Sequence, residues 1–174
     1  MKKIKFLMVI IIFVMSFFSH FIYNWFPNFI TSIFFPVNES IWEHMKIIYT
    51  SILLSSIIEY FIYKVQKISV NNFWINIPIV SIIGIIVYLI IYLLIDNVIP
   101  HNLFVSISLL FIIYILTQFI SYNILKSKSI PYEKIIGIIA IVLIYIVFTY
   151  LTYFPIKSYL FLDTQTNTYG INPT

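Results

Sequence analysis

Apolar residues run almost unbroken through positions 4–26, 41–63, 75–95, 103–125 and 131–154, with short polar breaks between the runs. A helix needs about 20 consecutive apolar residues to cross the hydrocarbon core of a bilayer, and each run meets that length. None shows the alternation of a membrane β-barrel strand, in which every second residue is polar and faces a lumen. The pattern predicts an all-α integral membrane bundle of five transmembrane helices, forming one domain over residues 1–174. The third helix opens between Phe73 and Pro78.

The breaks carry helix-end signals. Ser40 and Glu43 have the spacing of a capping box ahead of the second run. Pro78 and Pro131 suit first-turn positions, where a missing N–H costs nothing. Pro36, Pro100 and Pro155 fall between or after runs, where freed backbone groups can again meet polar partners. Residues 27–37 are apolar but too short to cross, which predicts a re-entrant or interfacial piece. The first run has the basic start of a signal peptide. The sequence Ser-Phe-Phe-Ser-His at 16–20 offers no small-residue cleavage site, so the run reads as an uncleaved helix.

Composition sharpens this picture. With 61% hydrophobic and 9% charged residues, the chain has too little polar surface for a water-soluble domain. The absence of Cys excludes disulfides, thiolate metal sites and a Cys nucleophile. The net charge of +4 is carried entirely by Lys, and the Lys positions argue against nucleic acid as a partner. Lys2, Lys3, Lys5, Lys64, Lys67, Lys126, Lys128 and Lys134 share one side if the N-terminus lies inside, leaving Lys46 and Lys157 opposite. Positive charge favours the cytoplasmic side, so the N-terminus is expected inside and the C-terminus outside, with the 155–174 tail extracytoplasmic. A composition rich in Ile, Asn and Lys and free of Arg points to an AT-rich bacterial genome, and hence to a bacterial plasma membrane.

The same topology sorts the titratable groups. His20, Glu39, Glu43, His44, Asp96, His101 and Asp163 fall towards the outer face, and Glu59 and Glu133 towards the inner one. An ionisable group at membrane depth is costly unless paired or wet, so each is a site hypothesis. Catalytic zinc takes three protein ligands and keeps one position open. His20, His44 and His101 offer those ligands. Glu43, His44 and Glu39 are the candidate acid–base groups, with Asn38, Ser40, Asp96, Asp163 and Glu59 in support. No fixed-spacing motif such as H-E-x-x-H accompanies them.

Structural roles compete for the same residues. Glu43 can cap the second helix with Ser40, and Glu39 can favour its positive N-terminus. Asp96 and His101 can be solvated loop residues, and Glu59 can pair with Lys64 or Lys67. The tail is expected to fold over the outer mouth and bring Asp163 towards the His residues. Ser16, His20 and Asn24 share one helix face, and His44, Ser51, Ser55 and Glu59 form a stripe that must face other helices. Ser51 and Ser55 bridge part of the depth that a proton relay would need.

The segment Pro36-Val37-Asn38-Glu39-Ser40-Ile41-Trp42-Glu43-His44 resembles the P-V-N-E-S-x-W-E-H signature of an uncharacterised family of small bacterial multi-pass membrane proteins. The stretches at 152–155, 161–163 and 168–171 are similar to that family's C-terminal part. The resemblance implies the same multi-pass fold and carries no activity. Three functions stay open. One is an enzyme hydrolysing, or transferring a group on, a lipid or lipid-linked substrate. The second is a small-solute carrier or the substrate-binding subunit of a transporter. The third is an accessory protein without catalysis. Membrane lipid is the expected partner, together with a second copy of the chain or another membrane protein.

Overall fold

The computed structural model describes residues 1–96 and 103–171, apart from the side chains of Ile95, Asp96 and Leu103. Six helices follow one another: α1 (Lys2–Trp25), α2 (Phe29–Phe34), α3 (Ile41–Val65), α4 (Phe73–Asp96), α5 (Leu103–Lys126) and α6 (Glu133–Tyr153). Five of them are long and apolar enough to cross a membrane. The sixth, α2, falls in the apolar piece too short to span. It is closed by a capping box in which Asn28 accepts from the Thr31 N–H and the Thr31 hydroxyl accepts from the Asn28 N–H.

Helices α1, α3, α4 and α5 pack around a common interior, and α6 lies against α4 and α2. The chemistry is inverted relative to a water-soluble bundle. Phe6, Val65, Phe119, Ile112 and Val142 turn outward, whereas Lys5, Lys46, Glu43, Glu59, Ser51, Ser55, Thr117 and Gln118 are buried. In hydrocarbon an outward apolar face costs nothing, and polar side chains gain by bonding across helices. The central α3 carries most of the buried polar groups.

Two loops at one end are held by side chains. Asn72, in the left-handed region at φ 57°, accepts from the Ile130 N–H at 2.7 Å and donates to Ser127 and Lys128 at 2.9 Å. Glu133 accepts from the Trp74 and Ile75 N–H groups at 2.9 and 3.3 Å, placing an anion at the start of α4. Gly137 lets α6 touch the backbone at Trp74, where a Cβ would collide. Because α4 already begins at Phe73, Pro78 sits inside the helix and not in its first turn.

The other end is closed by the tail. After α6 a 3-10 turn at Tyr159–Phe161 leads into a hairpin of β1 (Leu162–Asp163) and β2 (Thr168–Tyr169), with Leu162 opposite Tyr169 and Asp163 opposite Thr168. The hairpin is the one departure from an all-helical chain among the described residues. Trp42 stacks on Phe161 at 4.8 Å, and Asn38 donates to the Gly170 carbonyl at 2.8 Å. These contacts fix the tail to the start of α3.

Candidate functional site

The loop ahead of α3 is built to hold Glu39 still. Asn38 accepts from the Ser40 N–H at 2.9 Å, a local turn of the kind Asn favours. Ser40 then caps α3 by accepting from the Glu43 N–H at 3.3 Å. Glu39 sits between these two fixed residues. His44 lies in the first turn of α3, and His20 comes from the last turns of α1.

The three side chains converge. His44 Nε2 is 3.4 Å from one Glu39 oxygen, and His20 Nε2 is 3.8 Å from the other. The imidazole rings lie 5.6 Å apart at 34°. One donor atom from each residue falls within 4.8 Å of the other two. Each side chain is about a third exposed or less, on the wall of a cavity of about 550 Å³. That volume is typical of a small-molecule site. Ile41, Ile47 and Leu110 give the wall apolar patches, and Tyr88, Tyr92, Ser106, Thr164 and Gln165 give it polar ones.

One bond constrains the electronic state of this group. His44 Nδ1 lies 2.9 Å from the Ser40 carbonyl oxygen. A carbonyl only accepts, so Nδ1 carries the proton. In the neutral ring Nε2 is then a lone pair, and it faces a carboxylate oxygen. Two acceptors at that distance repel unless the ring is protonated or a cation sits between them. With the ring protonated, its bond to Glu39, helped by the charges of both imidazoles, holds the Glu39 carboxyl below the usual carboxylate range despite partial burial.

The other residues singled out in the sequence lie elsewhere. Glu43 is 1% exposed and turned away from the cavity. It completes only half of a capping box, because its carboxylate never returns to the Ser40 N–H. One oxygen accepts from Thr152 at 2.6 Å; the other pairs with Lys46 at 2.8 Å and accepts from the Val37 N–H at 3.1 Å. Lys46 also donates to the Ser32 carbonyl at 2.9 Å. The Glu43–Lys46 pair therefore ties α2, α3 and α6 together. Asp163 is buried in the hairpin turn, accepting from the Gln165 N–H and the Thr166 hydroxyl at 2.8 and 2.9 Å. The tail does reach the cavity, through Tyr159, Leu162, Thr164 and Gln165 and not through Asp163. Glu59 lies at the far end of α3 and pairs with Lys5, instead of Lys64 or Lys67. The Asp96 side chain and His101 lie outside the described residues.

Several contributors escaped the sequence reading. Lys46 stands three residues after Glu43, a spacing at which helical side chains meet, and that was the available signal. Thr152, Tyr88 and Tyr92 gave none, since nothing local distinguishes them from packing residues.

A family profile matches residues 1–171, from α1 through the tail hairpin. The chain belongs to the family of unknown function DUF6512. No curated protein and no solved structure matches it. The match covers the loop carrying Glu39, all five long helices and the tail hairpin.

Proposed function

We propose that this chain is a multi-pass membrane protein that binds a divalent transition metal through His20, Glu39 and His44 and uses it to hydrolyse, or transfer a group on, a lipid or lipid-linked substrate. The observation carrying this reading is His44 Nε2 standing 3.4 Å from the Glu39 carboxylate, with Nδ1 committed to the Ser40 carbonyl. Metal-bound His commonly donates its second ring N–H to a backbone carbonyl, which fixes the tautomer. Two ligands about 2.0–2.1 Å from a tetrahedral zinc stand about 3.3 Å apart, close to the separation of Glu39 and His44. His20, 3.8 Å from the other Glu39 oxygen, must move closer to join them.

Three protein ligands leave one coordination position, and the cavity lies beside it. A zinc-bound water there would have its pKa lowered towards neutrality, supplying a nucleophile for an ester or phosphoester. The outward apolar faces of the bundle and the mixed polar and apolar cavity wall suit an amphiphilic substrate. The lysine distribution supports a cytoplasmic N-terminus, and with it a site on the outer side of the plasma membrane.

The test is metal analysis of protein purified without affinity-tag histidines, followed by assay against ester and phosphoester lipids. Stoichiometric zinc in the wild type and its loss in His44→Ala support the reading. Metal-free protein that takes up no zinc on titration sinks it. A tightly retained solute without metal would favour the carrier.

A further inference from the structure

A second set of polar groups lies below the cavity and uses none of the three proposed ligands. On α3, Ser51, Ser55 and Glu59 recur every four residues on one face. Their exposures are 0%, 0% and 3%. From α1, Ser19 accepts a bond from Ser51 at 3.2 Å. From α5, Tyr114 brings its hydroxyl against Ser16 and Ser51, and Gln118 and Ser121 continue the same face towards the other end. There Lys5 pairs with Glu59 at 2.5 Å and donates to Ser121 at 2.6 Å, and Asn76 donates to Ser121 at 2.9 Å. From Ser19 and Ser51 to Lys5 and Glu59, polar side chains line the interior of the α1, α3, α4 and α5 bundle.

The bonding of this column is incomplete. Seven buried side-chain polar atoms have no hydrogen-bond partner among the described residues, and Ser55 Oγ, Gln118 Oε1 and Asn76 Oδ1 of this column are among them. Buried polar atoms are normally satisfied, by ordered water where no protein group serves. These three belong to three different helices that face one interior. Buried hydroxyls that only stabilise their own helix look different. Ser56 and Ser81 donate to the carbonyls of Ile52 and Ile77, four residues back.

We infer that α1, α3, α4 and α5 enclose a chain of water molecules that carries protons between the Lys5–Glu59 pair and the cavity above Ser19. From Ser51 to Glu59 the column rises about 12 Å at 1.5 Å per residue, a distance a few waters and hydroxyls can bridge. A proton from the Lys5 side is taken by the Glu59 carboxylate, which parts from Lys5 while Lys5 keeps its bond to Ser121. It then passes along water, Ser55, Tyr114 and Ser51, each O–H group releasing one proton as it gains another, and leaves into the cavity. No net bond is made or broken within the protein. The Lys5–Glu59 pair acts as the gate, because the carboxylate must be protonated before the pair can open. Polar chains at membrane depth commonly mark such proton routes.

This inference is independent of the metal, and its test needs no substrate. The protein is reconstituted into liposomes holding a pH-sensitive dye, and a potential is imposed with potassium and valinomycin. Wild-type protein, with or without chelator, is expected to pass protons faster than protein-free vesicles. Ser55→Leu and Gln118→Leu, which fill the column with hydrocarbon, are expected to return the rate to the protein-free value. Ser55→Ala and Tyr114→Phe keep the volume nearly unchanged and are expected to slow it; they serve if the leucine variants fail to fold. Ser81→Ala is expected to match the wild type. A wild-type rate equal to that of empty vesicles overturns the inference, as does an unchanged rate in all the folded column variants.

Discussion

Lys5 and Glu59 come from opposite ends of their helices' sequences and meet inside the bundle at 2.5 Å, exposed by only 5% and 3%. Tyr63 adds a bond to the same carboxylate at 2.7 Å. Removing one partner of a buried pair strands the other charge, at a cost of about 3–5 kcal/mol, whereas replacing both by apolar groups is often neutral. Glu59→Leu alone should therefore lower the unfolding temperature in detergent sharply. Adding Lys5→Met should restore most of it. A double variant whose loss equals the sum of the singles would contradict the pairing.

Glu43 and Lys46 make the same kind of contact at the other end, and here the prediction separates structure from chemistry. Glu43→Gln should destabilise the fold, since Lys46 keeps its charge while losing its counter-ion. Zinc uptake should be unchanged, because Glu43 does not face the cavity. Thr152→Val, which removes one bond to a charged acceptor, should cost about 1.5–3 kcal/mol. Loss of metal in a folded Glu43→Gln protein would show that the carboxylate reaches the site after all.

His44→Ala should abolish zinc retention, and Glu39→Gln should weaken it, because an amide is a poorer ligand than a carboxylate. Both imidazoles must be deprotonated to bind metal, so zinc affinity should fall as pH drops into the acid range. Equilibrium dialysis across that range measures the effect. Affinity independent of pH would argue against histidine ligands.

In the metal-free protein Glu39 has a lowered pKa, owing first to its bond with His44. A depressed carboxylate stabilises the fold above its unfolded pKa, and that contribution disappears as pH falls through the folded value. Wild type should thus be more stable than Glu39→Gln at neutral pH, and the two should converge in strong acid. Thermal unfolding against pH would expose parallel curves, if the interaction contributes nothing.

Among the contacts that hold the tail are the Trp42–Phe161 stack and the bond from Asn38 to Gly170. Phe161→Ala combined with Asn38→Ala should release the hairpin and open residues 159–170 to protease. Cleavage should leave the five long helices intact on a gel. Unchanged resistance would mean that other contacts hold the tail.

The long helices were legible because crossing length and hydropathy are local properties of a sequence. The partnership of Lys5 with Glu59 was not, since it depends on how far α1 and α3 are rotated and where they cross. Lys64 and Lys67 are nearer in sequence, yet they follow Glu59 on the helix end and turn to the surface. At the site, His20, His44 and Glu39 were identifiable by type and depth. Their separation from Glu43 was harder to see. Adjacent residues on a helix diverge by about 100°, which puts His44 on the cavity and Glu43 on α6. Asp163 lies next to Thr164, which is on the cavity wall, but its short side chain closes its own turn, as Asp often does. The small helix α2 and the hairpin rest on a capping box and a two-residue pairing that hydropathy does not register.

One wall of the cavity comes from the tail, at Tyr159, Leu162, Thr164 and Gln165, far along the chain from His20, Glu39 and His44. During synthesis these three side chains must wait, uncovered, until α6 has been inserted and the hairpin has docked on Trp42. A nascent chain arrested before that moment would present an open basin to its surroundings.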